Sequence, residues 1–161
     1  MTDRLQVFYD ASCRLCAAEM HSLKALDHDD WIELIDCSAP DFDDTPYRAD
    51  GITRAAMLEA LHVREPAGAW HIGVDAFGLL YGTLGLDAIA TAWTHPLSRR
   101  FTERFYPWVV RHRHALSSLG LHRIAPYVSS LAAHHAARRS RCRDDACERG
   151  APPAAPAGRV L

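Results

Sequence analysis

The stretch Asp10-Ala11-Ser12-Cys13-Arg14-Leu15-Cys16 constrains the fold most: two cysteines three residues apart follow an aspartate, where a short apolar run gives way to helical periodicity. Leu5-Gln6-Val7-Phe8-Tyr9 reads as a strand, and the residues after Cys13 read as an amphipathic helix. Positions i and i+3 of a first helical turn share a face, so a disulfide between them closes with little backbone movement. A cysteine at a helix start meets unpaired backbone N–H groups and the positive end of the helix dipole, which favour thiolate over thiol. The spacing therefore points to dithiol–disulfide chemistry, with Cys13 as the nucleophile and Cys16 as the more buried, resolving thiol. Arg14, between them, adds a cation expected to lower Cys13 further.

Other chemistry fits the same spacing. A Cys-x-x-Cys pair is also half of many structural zinc sites, and two cysteines can simply pack in a core. Cys37, Cys142, Cys147 and the ten histidines could complete a metal site, but none forms a second pair of usual spacing; four residues separate Cys142 from Cys147, in a polar tail. A pair that opens a helix after a buried strand favours redox, with no bound cofactor and no metal. Asp10 has two readings: a proton acceptor for Cys16 during resolution, or an acceptor of backbone N–H bonds in the turn that sets up the cysteines. Cys37 is expected to be a small buried hydrophobe.

The rest of the chain continues in a definite order. Residues 14–27 form the first helix and Trp31 to Asp36 a second strand, parallel to the first through a right-handed crossover. Residues 38–52, with two prolines, one glycine and several aspartates, read as a loop, after which Thr53 can cap a short helix. Leu61-His62-Val63-Arg64 and Ala69-Trp70-His71-Ile72 flank the turn Glu65-Pro66-Ala67-Gly68, a β-hairpin, and a further helix starts near Val74. The order β-α-β-α-β-β-α is that of a thioredoxin-like α/β fold. Beyond it, Asp87 can cap a helix to Trp93, Pro96 can start another, and Pro107 is expected to kink or divide it. Phe101, Phe105, Trp108, Val109, His112 and Leu116 form a stripe at helical spacing that reads as packing surface. Three regions are expected: a redox domain over 1–86, a basic helical extension packed on it over 87–137, and a disordered Arg/Ala/Pro-rich tail over 138–161.

Charge separates along the chain. Residues 1–96 hold 6 Lys/Arg against 16 Asp/Glu, and residues 97–161 hold 12 against 4, so the basic part is expected to dock on the acidic part. Without a nucleic-acid motif or an apolar run near the roughly 18 residues of a membrane span, neither nucleic acid nor a membrane is an expected partner. Five cysteines, an odd number, argue against a framework of structural disulfides, and with no signal-peptide core after Met1 the expected location is the cytoplasm.

Several motifs together are specific: Val7-Phe8-Tyr9-Asp10-x-x-Cys13-x-x-Cys16, then Ile35-Asp36-Cys37, Leu61-His62-Val63-Arg64 with Gly68, and Gly73-Val74-x-Ala76-Phe77. The chain resembles the DCC family of thiol-disulfide oxidoreductases, the DUF393 domain, named for an Asp-Cys-Cys trio that stands here as Asp10, Cys13 and Cys16. The resemblance covers about residues 5–115, including Tyr106-x-Trp108 and Arg111-His112-Arg113. It implies a thioredoxin-like fold and a protein-disulfide reductase type of activity, with a disulfide-containing protein or small molecule as substrate and a thiol as electron donor. Two features depart from the pattern: Ala11 stands where family members often have glycine, and no proline lies between Pro46 and Leu61, where thioredoxins place a cis-proline ahead of the third strand. A redox-sensing or interaction module without turnover is the alternative from another class.

Overall fold

Alternation along Leu5–Tyr9 (β1) divides the interior in two. Leu5, Val7 and Tyr9 enter one buried cluster, with Met20, Leu23, Val63 and Leu80, while Phe8 enters another with Cys37, Ile52 and Met57. The structure is a computed structural model and describes residues 4–120. After β1 come α1 (Arg14–Leu26), β2 (Ile32–Asp36), a 3₁₀-helix (Thr45–Asp50), α2 (Arg54–Glu59), β3 (His62–Arg64), β4 (Trp70–Ile72), α3 (Val74–Thr83), α4 (Asp87–Thr94) and α5 (Pro96–Ser118).

The four strands form one mixed sheet in the order β2-β1-β3-β4. β1 runs parallel to β2, with Leu5 opposite Ile32 and Tyr9 opposite Asp36, and antiparallel to β3, with Val7 opposite Val63. β3 and β4 are joined by a tight turn closed by Gly68 N–H donating to the Glu65 carbonyl at 2.8 Å. This is a thioredoxin-like α/β arrangement, in the element order expected from the sequence.

The helix ends carry their own reasons. The Thr53 hydroxyl caps α2 by accepting the Ala56 N–H at 3.3 Å, and Pro96 occupies the first turn of α5. Three expectations need correction. Asp87 is the first residue of α4 rather than its cap, which is Leu86. Pro107 lies inside α5 and does not divide it. The expected loop over 38–52 contains the 3₁₀-helix, which Pro46 fits because a proline needs no N–H donor in a first turn.

The aromatic stripe on α5 is also placed differently. Phe101, Phe105 and Trp108 are 68%, 45% and 49% exposed, and stack on one another and on His112 at centroid separations of 4.8–5.5 Å. The face of α5 turned inward is centred on Tyr106, Val110 and Arg113, with Val109 and Phe105 of the expected stripe at its edge. Polar anchors fix this rotation, because Tyr106 bonds to the main chain of Leu61 just ahead of β3 and Arg113 to that of Leu58 in α2. The part of the expected extension after residue 120, and the whole of the tail over 138–161, lie outside the described residues.

Candidate active site

Cys13 is the N-cap of α1. Its backbone is extended, its N–H donates to the Asp10 carbonyl at 3.3 Å, and its carbonyl already accepts the first helical bond, from Ala17 at 2.9 Å. Its sulfur does what a serine or aspartate oxygen does at this position: it accepts the N–H of Cys16 at 3.4 Å. The Cys16 thiol donates to the same sulfur, with the two sulfurs 2.8 Å apart, and no disulfide joins them.

These contacts separate the two thiols electrostatically. The hydrogen bond from the Cys16 thiol is the largest influence on Cys13; with the N–H groups of Cys16 and Leu15 and the charge of Arg113 it outweighs burial and lowers the Cys13 pKa to about 6. Cys16 is pushed strongly upward, first by donating that bond and then by burial, so it holds the proton. The cation that lowers Cys13 is thus Arg113 of α5, whereas the adjacent Arg14 is exposed.

The turn before α1 is held by two carboxylates. Asp10 is buried; its Oδ1 accepts the Ser12 N–H at 3.0 Å and the Ser12 hydroxyl at 2.5 Å, and its Oδ2 pairs with Arg113 at 2.8 Å. Asp36, at the end of β2, accepts the N–H groups of Ala11 at 3.1 Å and Ser38 at 2.8 Å. Although burial opposes it, hydrogen bonds from Ser38 and Ala11 hold the Asp36 carboxyl below its usual range. Ala11 needs no left-handed backbone, which explains how the turn forms without the family's glycine. Asp10 thus makes the contacts expected of a turn acceptor, with an ion pair to α5 in addition.

Arg113 and Tyr106 are the residues that sequence reasoning left out of the site. Arg113 also donates to the Leu58 carbonyl at 2.6 Å, while its Nε is buried with no hydrogen-bond partner. The Tyr106 hydroxyl accepts the Leu61 N–H at 2.9 Å, and burial raises its pKa to about 12. Leu61 occupies the segment ahead of β3 where a cis-proline was absent from the sequence, and among the described residues every peptide bond is trans. The available signal was spacing: Tyr106, Val109, Val110 and Arg113 fall on one helical face.

Burial of the two cysteines differs from the expectation. Cys16 has more protein packed around it, yet it keeps accessible surface, whereas Cys13 has none. The reason is the cap, which turns the Cys13 sulfur under the first turn. Cys16 opens on a cavity of about 440 Å³, whose lining includes Met57, Leu61, Phe77, Trp93 and Val110, with Asp10 and Arg113. Cys37 is buried against the Met57 sulfur at 3.7 Å, and burial pushes its thiol up to about 12. Among the described residues no group of three or more His, Cys, Asp or Glu side chains is placed to hold a metal ion, and no helix is long and apolar enough to cross a membrane. Cys142 and Cys147 lie outside the described residues.

A family model described as DCC1-like thiol-disulfide oxidoreductase covers residues 7–119, from β1 through the whole of α5. No curated protein and no solved structure matches the chain.

Proposed function

The chain belongs to the DCC1-like thiol-disulfide oxidoreductase family, and from that premise we propose that it cycles Cys13 and Cys16 between dithiol and disulfide to reduce the disulfide of a protein or small-molecule substrate. The observation that carries this reading is the double hydrogen bond onto Cys13, from the N–H and the thiol of Cys16, which leaves one sulfur charged and its neighbour protonated within reach. As the thiolate, Cys13 is the attacking sulfur, either on a substrate disulfide or on a mixed disulfide carried by Cys16. In one cycle the pair gives up two electrons and closes its own S–S bond, the substrate S–S bond opens to two thiols, and a thiol donor then restores the dithiol. Asp10 is a positioning residue: it holds the turn through Ser12 and holds Arg113 beside the sulfurs. The odd number of cysteines supports work in a reducing compartment such as the cytoplasm.

Turnover of insulin and of a small aromatic disulfide, driven by dithiothreitol, tests the reading. The protein should turn over at least one of them, and Cys13→Ser and Cys16→Ser should each abolish that activity. Oxidation that changes shape or partner affinity without turnover would assign it to sensing instead, and about one tightly bound zinc per purified chain would assign the pair to structure.

A further inference from the structure

Resting on that thiol–disulfide reading, we propose that the substrate is a small, uncharged, apolar disulfide that enters the cavity under α5 and forms its mixed disulfide with Cys16, which Cys13 then resolves. Size comes first: about 440 Å³ lies within the roughly 300–1,000 Å³ of small-ligand pockets. The walls are aromatic and aliphatic, from Met57, Leu61, Phe77, Trp93 and Val110. The charged groups among them already have partners, Asp10 with Arg113 and Glu19 with the Tyr81 hydroxyl. A disulfide carrying carboxylates would have to give up water for walls whose one cation among the described residues, Arg113, is already paired with Asp10.

The backbone around the cavity argues against an extended protein segment. The Leu61 N–H is taken by Tyr106, the Leu61 carbonyl accepts from Gly73 at 2.8 Å, and the Leu58 carbonyl is taken by Arg113. A substrate chain could pair with this segment only by displacing α5. A small ligand needs no such movement, and the sulfur it meets is Cys16, since Cys13 has no exposed surface.

The chemistry balances. As the Cys16 sulfur bonds to one substrate sulfur, its proton passes along the existing hydrogen bond to the Cys13 sulfur; the substrate S–S bond breaks, and the leaving thiolate takes that proton from Cys13 and departs as the first thiol, so that Cys13 is a thiolate again. The Cys13 thiolate, 2.8 Å away, then attacks the Cys16 sulfur. The Cys13–Cys16 bond forms, the mixed disulfide breaks, and the second thiolate departs and takes its proton from water. Two electrons pass from the cysteines to the substrate. The reverse also suits the geometry, because a thiol attacking Cys16 of the disulfide expels Cys13, the more acidic thiol and so the better leaving group.

The test uses the reduced full chain and two aromatic disulfides, neutral dithiodipyridine and the dianionic dithiobis(nitrobenzoate), each rate being normalised to that with free cysteine. The neutral reagent should oxidise the pair at least tenfold faster, and Val110→Trp, which fills the cavity, should shrink that preference. In Cys13→Ser, peptide mapping should find a stable pyridylthio adduct on Cys16. Equal normalised rates, or an adduct that forms on Cys13 in Cys16→Ser while Cys16 in Cys13→Ser stays unlabelled, would overturn the cavity route and leave the redox reading standing. Failure of both reagents to oxidise the pair would overturn both.

Discussion

Cys13 caps α1 with a sulfur whose pKa is lowered to about 6, and the two features are coupled. Helix N-caps are commonly Ser, Thr, Asp or Asn, whose oxygens accept an otherwise unpaired N–H; here a sulfur does so, and it accepts better when charged. A thiol whose folded pKa lies near 6 instead of 9 contributes stability that is complete above about pH 9 and is lost as the pH falls through about 6. The reduced protein should therefore become more stable between those values, and the ultraviolet absorbance of the thiolate should titrate near 6. Arg113→Gln should raise that midpoint by removing the cation, and Asp10→Asn should lower it by releasing Arg113 from its carboxylate. The same titration in Cys13→Ser should show no thiolate near pH 6. At this scale the cap and the acidic cysteine were legible, because both follow from neighbours in the sequence. Arg113 was not, since it stands 103 positions from the aspartate it pairs with, and Arg14 was the nearer cation by sequence alone.

Elements with regular patterns were legible; those set by single polar contacts were not. Alternation in β1 and the stripe of α1 gave the βαβ unit, and Pro66 with Gly68 gave the hairpin even though β3 and β4 are three residues each. The rotation of α5 escaped because its aromatic stripe looked like the buried face, while the Tyr106 and Arg113 bonds turn the adjacent face inward. Gly73 is the hinge of that contact. It caps α3 at a φ of +61°, and a Cβ there would lie 3.2 Å from the Tyr106 ring. Gly73→Ala should cost about 1–3 kcal/mol from the positive φ alone. Urea unfolding should show that loss, and Tyr106 should be displaced from Leu61. An unchanged midpoint would mean that the backbone at this position relaxes without strain.

Across the whole molecule, two ion pairs among the described residues run from α5 to the acidic half of the chain. The Asp10–Arg113 pair is buried, and Arg99 of α5 meets Asp75 of α3 at 3.3 Å on the surface, where an ion pair contributes little. The buried pair is the contact that joins the two charge classes at the cysteines. The cavity under α5 had no signature in the sequence, because its walls come from β1 and all five helices and exist only once the chain has folded. All of these features converge on one claim, that Cys13 and Cys16 form a two-electron couple. Equilibrating the protein across a graded series of reduced and oxidised dithiothreitol, trapping free thiols by alkylation and counting labels on the peptide that holds both cysteines tests it most directly. The claim predicts a single transition from two labels to none, with an intramolecular disulfide between Cys13 and Cys16. A peptide that keeps both labels across the whole series, or loses them one at a time to intermolecular disulfides, would contradict it.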